Sequence, residues 1–319
     1  MRERLVHGTD VRLTELALGG ASLGNLYYET SDDNAAASVA QAWDSGIRYF
    51  DTAPHYGLGL SERRLGAALS PYPRSEYVIS TKVGRLIVPN ESPTEFDDQG
   101  FVVPGDRRRK WDFSREGALR SVDDSLTRLG TDYIDIIYLH DPDVSGIPDA
   151  AQTGAAALIE LRDQGVVRAV GIGSNSAAAV AQLFRESDID LAMLAGRYTL
   201  LEPNEADAVF EAAGQRAIVA VGVFNSGLLS TARPQPGAMY NYEPAPAELL
   251  ARANWLADLA EANYATLPQT AIAFPLRNPQ VASIAIGMRT PSQVLDNVAL
   301  FEIPPPASFW ADLEGAGWL

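Results

Sequence analysis

Residues 114–140 read SREGALRSVDDSLTRLGTDYIDIIYLH and hold one full unit of the fold. Ser114, followed by Glu116 and Gly117, opens a helix whose apolar stripe is Leu119, Val122, Leu126 and Leu129. Gly130 stops it, as a glycine just past a helix end does. Beyond it, 134–140 is a short apolar run without strict alternation, the pattern of a parallel strand covered on both faces. The same unit recurs along the chain. Strands are expected at 16–19, 48–51, 78–82, 134–140, 169–173, 191–194, 218–223 and 283–286. Further helices are expected at 32–45, ended by Gly46, at 149–164, ended by Gly165, and at 247–264. Eight such alternations read as an α/β fold, a (β/α)8 TIM barrel, in one domain over 1–319. A leading hairpin, 4–6 with 11–13, is expected to plug its bottom. The rival is a doubly wound sheet, which wants a glycine fingerprint leading straight into a helix. The cluster Gly19, Gly20 and Gly24 has no helix directly after it.

Two stretches break the rhythm, 84–113 and 225–245, and are expected as long loops over the C-terminal face, where barrel enzymes keep their sites. The run Arg107, Arg108, Arg109 and Lys110 within the first is expected to be solvated.

Composition narrows the function. The chain has 319 residues, 46% hydrophobic and 21% charged, which is ordinary globular material. It has no cysteine, so disulfides, thiolate catalysis and Cys-based zinc sites are excluded. A formal net charge of −16 argues against nucleic acid and reads as solubility through self-repulsion. The opening MRERLVHGTDVRLTE is polar, so no signal peptide is expected. No run approaches the ~18 apolar residues of a membrane span, and the expected location is the cytoplasm. The only histidines are His7, His55 and His140, in neither an H-x-H nor an HExxH arrangement, so no metal is expected.

Four ionisable residues fall where a barrel places its chemistry. Asp51 ends the second expected strand, Tyr56 follows in its loop, Lys82 ends the third and His140 the fourth. Singly, each has a plain reading: a turn cap, a surface aromatic, a loop lysine, a turn histidine. Jointly, they suit proton transfer coupled to hydride transfer. A tyrosine of ordinary pKa ~10 can give or take the proton, and a neighbouring cation lowers that value. Lys82 is the cation, Asp51 its counter-charge, and His140 orients the substrate oxygen. A cofactor carries the hydride.

GIRYFDTAPHYGLGLSERRLG (46–66), with STKVGR (80–85) and YIDIIYLHDPD (133–143), resembles the aldo-keto reductases. The resemblance runs from LALGGASLG (16–24) to MRTPSQVLDN (288–297). It implies the catalytic tetrad Asp51, Tyr56, Lys82 and His140. It also implies a nicotinamide cofactor, gripped at the amide by Ser174 and Asn175, with Ala195 where the family has Gln. Phe224 would stack on the nicotinamide, and Asn225, Ser226, Gly227 and Leu228 would approach the pyrophosphate through backbone amides. Gly287, Arg289, Gln293 and Asn297 match the adenosine end. NADP sites want Arg or Lys at the 2′-phosphate. Gln293 stands at a family arginine position, so NAD is favoured, with Arg289 left as a phosphate ligand for NADP. His55 and Trp111 are placed at the substrate pocket, with Phe101 and Tyr240 near it. DTAPHYGLGLSE, HDPD and AGRYTLL look most like members that oxidise L-fucose or D-threo-aldoses at C1, with pyridoxal-oxidising members close in pattern. The implied partner is a small sugar or aldehyde. An aldehyde reductase, a nucleotide-binding regulatory subunit and a metal-dependent hydrolase are the alternatives.

Overall fold

The structure, a computed structural model, describes residues 1–241 and 243–319. Eight parallel strands close into a barrel in chain order: β1 (Leu16–Gly19), β2 (Tyr49–Asp51), β3 (Val78–Val83), β4 (Ile134–His140), β5 (Val167–Ser174), β6 (Leu191–Ala195), β7 (Ala217–Val221) and β8 (Val281–Gly287). Each lies within two residues of its expected bounds. In β4 all seven residues are buried, which is why the sequence shows no alternation there. Helices cover the outside. The helix Arg115–Leu129 starts where the Ser114 side chain accepts from the Gly117 amide and ends at Gly130, whose φ of 64° suits glycine.

The core has two layers. Leu18, Ile137, Leu139 and Ile172 face the helices. Tyr49, Ile136, Tyr138, Met193 and Val219 fill the barrel interior, together with Val6, Val11 and Leu13 of the leading hairpin. The hairpin pairs Glu3–Leu5 with Arg12–Thr14. Arg4 bonds Glu15 and the carbonyl of Val281, the first residue of β8, which places the plug at the bottom. Among the described residues no helix is long and apolar enough to cross a membrane.

The segment after β3 corrects one expectation. It is an antiparallel hairpin, Arg85–Thr94 with Gly105–Trp111, rather than an irregular loop. The basic run lies in its second strand. Arg107, Arg108 and Lys110 are exposed, but Arg109 turns inward and pairs with Asp97. The second long segment begins with left-handed residues at Asn225, Ser226 and Gly227, and later forms a two-residue ladder, Met239–Tyr240 with Glu243–Pro244.

Candidate active site

The ends of β2, β3 and β4 bring the four expected residues to one rim. Lys82 Nζ donates to both oxygens of Asp51, at 2.9 and 2.7 Å, and to the Thr52 carbonyl at 2.9 Å. Tyr56 shares the same ammonium through a further side-chain hydrogen bond, and the Lys82 and Asp51 side chains are almost wholly buried. Burial pulls the Lys82 ammonium down, but the Asp51 carboxylate and the Tyr56 oxygen push it further up, so it stays charged. Burial lifts the Asp51 carboxyl above its usual range, against the pull of Lys82 and of a bond from Ser80.

Tyr56 sits above this pair. Its ring centroid is 4.7 Å from Lys82 Nζ and 5.9 Å from the His140 ring. Gly24 makes that placement possible, since a Cβ there would fall 2.6 Å from the Tyr56 carbonyl carbon. The sequence leads one to expect a phenol lowered by Lys82. Lys82 does act in that direction, but the net shift is upward, to about 12. Burial is the larger effect, and Asp51 opposes the lysine. Tyr56 is therefore a neutral phenol at rest. His140 is held well below its usual value by burial and by Arg85, so its ring is neutral as well. Its Nδ1 is buried with no hydrogen-bond partner among the described residues.

Around these four lies a charged rim that the sequence reading missed. Arg85, the first residue of the hairpin, bonds Asp141, and its Nη1 lies 3.3 and 3.4 Å from the two ring nitrogens of His55, donating to whichever carries no proton. Asp141 Oδ2 is also 3.5 Å from His140 Nε2. Trp111 lies under the Arg85 guanidinium at 4.4 Å, and Phe101 meets His55 edge-on at 5.1 Å. Arg109 donates to the His55 carbonyl at 2.8 Å. Burial and then Arg85 push His55 down to about 2. So His55, Trp111 and Phe101 are brought to the tetrad. Tyr240 is not among these contacts, and its hydroxyl donates to Glu202 at 2.5 Å. The one readable signal for Arg85 was its place at the end of STKVGR, three residues after Lys82.

On the other side of the mouth, a cavity of about 720 Å³ opens between the segments after β1 and β7 and the end of β8. Leu26, Tyr27, Tyr28, Phe224, Met239 and Gly287 give it an apolar, ring-rich lining. Ser226 and Gly227 line it too. Asn225 behind them is 4% exposed, and neither polar atom of its amide has a hydrogen-bond partner among the described residues. A buried amide left so is costly and points to a missing partner. Flat apolar walls with an orphaned amide fit a dinucleotide.

Several expected cofactor contacts are already engaged within the protein. The amides of Asn225, Gly227 and Leu228 close their own turn onto Gly222, Phe224 and Asn225, so the expected cradle of backbone donors is reduced. The Leu228 side chain is core. The Ser174 hydroxyl donates to Asp143 at 2.7 Å, while Asn175 is exposed and its carbonyl accepts from Arg197. Ala195 ends β6 half-buried. Arg289 donates to the carbonyls of Leu26 and Tyr28 and to the Thr30 hydroxyl, each at 2.6 Å. Gln293 accepts from the Arg289 amide at 2.7 Å, and the Asn297 amide bonds back to the Gln293 carbonyl.

Comparison with known proteins agrees with this architecture. The chain is 46% identical to a D-threo-aldose 1-dehydrogenase from a Pseudomonas species, over 94% of this chain and 93% of that one. It is 39% identical to a pyridoxal 4-dehydrogenase from Microbacterium luteolum, over 99% and 97%. The solved structure of an aldo-keto reductase from Bacillus halodurans superposes with a TM-score of 0.73 at 28% identity, covering 97% of this chain and 93% of that one. The model of the aldo/keto reductase family matches residues 15–317, and the chain belongs to that family of oxidoreductases acting on C=O and CH–OH groups with nicotinamide cofactors.

Proposed function

We propose that the protein oxidises an aldose at C1 to the lactone, with Tyr56 as the acid/base. The observation that carries the proton chemistry is the Tyr56 ring set over the Lys82–Asp51 pair and across from His140. The sugar assignment is supported by the relative named for D-threo-aldose oxidation.

The roles follow from the geometry. Neutral His140 and Tyr56 meet the substrate oxygen. In the oxidative direction Tyr56 accepts the proton of the C1 hydroxyl. In the reductive direction it gives one to the carbonyl oxygen. Lys82 stabilises the phenolate when the proton is away, and Asp51 keeps Lys82 in place. A bound nicotinamide dinucleotide supplies the hydride acceptor or donor. Phe224, Asn225, Ser226, Gly227 and Gly287 would hold it. NAD is the favoured form, because Arg289 is engaged with the 26–30 loop and Gln293 offers no charge to a 2′-phosphate. The pH dependence has a definite sign. A phenol near 12 must lose its proton before it can act as a base, so oxidation speeds up as pH rises through the alkaline range. Reduction needs the protonated phenol and does not gain from alkali.

Pyridoxal is the second reading, favoured by the 39% relative and by Phe101 and Trp111 at the mouth. A panel read at 340 nm decides: L-fucose, D-arabinose and pyridoxal with NAD and with NADP, and simple aldehydes with the reduced cofactors. NAD reduction with the sugars is expected. Turnover of pyridoxal alone, or of aldehydes alone, would replace the aldose assignment.

A further inference from the structure

Below the tetrad, a line of hydroxyls runs through the barrel interior. Tyr138 Oη is 3.2 Å from Tyr49 Oη, which is 3.0 Å from Ser80 Oγ, and Ser80 donates to Asp51 Oδ1 at 2.7 Å. Tyr138, Tyr49 and Ser80 are fully buried. The direction of the chain is set by its upper end. An ionised carboxylate only accepts, so Ser80 donates to it. Ser80 has one proton, so Tyr49 must donate to Ser80, and Tyr138 in turn to Tyr49. Every donor points toward Asp51.

Two other roles fail on inspection. The chain is no proton wire. Its lower end, Tyr138, is fully buried in the cluster of Ile136, Met193, Val219 and the plug residues Val6, Val11 and Leu13. Burial also pushes both tyrosines well above their usual value, so neither releases a proton. Nor does packing require the hydroxyls. Phenylalanine fills nearly the same space, and an apolar interior avoids the cost of burying a polar group. What the hydroxyls add is polarity aimed at one carboxylate. Asp51 needs it, because burial opposes its charge and its side-chain donors among the described residues are Lys82, at both oxygens, and Ser80, at Oδ1.

We propose that Ser80, Tyr49 and Tyr138 are positioning residues that keep Asp51 ionised and oriented, and through it hold Lys82 against Tyr56. The effect on turnover rests on the reading of Tyr56 as acid/base; the effect on Asp51 does not. The ionisable groups around the carboxylate are Lys82 from β3, Tyr49 on its own strand, Tyr138 from β4 and Tyr56 from the β2 loop. Beyond them, Tyr56 also feels Asp141.

The test uses Ser80→Ala, Ser80→Thr, Tyr49→Phe and Tyr138→Phe in the full-length protein. The first readout needs no substrate: the carboxyl ¹³C titration of Asp51, assigned by its disappearance in Asp51→Asn. Its midpoint is expected to rise most in Ser80→Ala, less in Tyr49→Phe and least in Tyr138→Phe, with Ser80→Thr near wild type. The second is the pH profile of kcat/KM. Ser80→Ala should lose roughly tenfold in kcat at neutral pH, as for one hydrogen bond to a charged group, with KM unchanged and the acid limb moved upward. Folded variants with an unmoved Asp51 titration overturn the proposal, as does an activity loss equal at every pH. Tyr56→Phe is run alongside. If it stays active, the acid/base reading fails, and the ¹³C titration alone then decides this one.

Discussion

The two sides of the barrel mouth differ in how they handle charge: buried polar atoms without a partner among the described residues occur on both, at His140 Nδ1, Arg85 Nε and Arg109 Nε on one and at the Asn225 amide on the other. On the β2–β4 side nearly every charge is answered within the chain: Lys82 by Asp51, Arg85 by Asp141, Arg109 by Asp97. On the β7–β8 side the walls are apolar and the buried Asn225 amide has no partner among the described residues. The first side has its protonation states fixed before a ligand arrives: a neutral phenol, two neutral imidazoles and a charged lysine. Such preorganisation suits a site where charge develops during reaction. The second side leaves polar capacity that a ligand can complete, so binding there should relieve a cost the free protein carries.

The largest effect should come from the charged side, at the proton that the proposed mechanism moves. Tyr56→Phe keeps the ring and removes the hydroxyl. Turnover should fall by about 10²–10⁴, the usual contribution of a positioned acid/base, while cofactor affinity measured by fluorescence titration stays at the wild-type value. Full turnover in that variant would remove Tyr56 from the reaction.

Asn225→Ala tests the waiting side, with an asymmetry between the free and bound states. The free protein loses two unsatisfied buried atoms but gains alanine at a left-handed φ of 47°, costs of opposite sign, so its Tm should change little. The bound state loses their partners, and the cofactor dissociation constant should increase about tenfold. A marked drop in Tm with unchanged affinity would make the amide a structural group.

Why one side was readable from sequence and the other only in part follows from how each is built. Asp51, Lys82 and His140 ride at the ends of apolar runs, and a strand end is visible in one dimension. Tyr56 lies five residues after Asp51, inside one loop. Arg85 and Arg109 act through partners 56 and 12 residues away, Asp141 and Asp97, and the pairing depends on hairpin register. No local pattern separates inward Arg109 from exposed Arg107 and Arg108. The sign of the Tyr56 shift was hidden for another reason: the sequence shows that a lysine is near, but not how much water is gone. On the cofactor side, residue types alone do not reveal that the Ser174 hydroxyl is engaged by Asp143 or the Arg289 guanidinium by the 26–30 loop.

A smaller effect sharpens the contrast through pH. His55 is pushed down to about 2 in the folded protein, against about 6.5 unfolded. Below 6.5 the unfolded chain takes a proton that the native ring refuses, so stability falls as pH falls. Each such histidine contributes a slope approaching about 1.4 kcal/mol per pH unit. His55→Asn should remove one such slope. Urea midpoints between pH 7 and 5 are expected to decline less steeply in the variant than in the wild type. Parallel declines would mean that His55 charges in the native state after all.

The smallest expected change concerns Arg289, and it separates two roles that the residue type alone cannot. As a latch, its guanidinium ties the β8 loop to Leu26, Tyr28 and Thr30, and so holds one wall of the cavity. As a 2′-phosphate ligand it would have to leave those three bonds. Arg289→Gln therefore predicts different signatures. If the latch role holds, NAD and NADP should both weaken by a similar few-fold factor, mostly through faster release, because the loosened wall is common to both. If the phosphate role holds, NADP alone should weaken and NAD should be untouched. Stopped-flow release rates for the two cofactors, measured on one preparation, distinguish these outcomes. A similar weakening is the expected one, because Arg289 would have to give up three bonds already formed to the loop before it could turn to a phosphate.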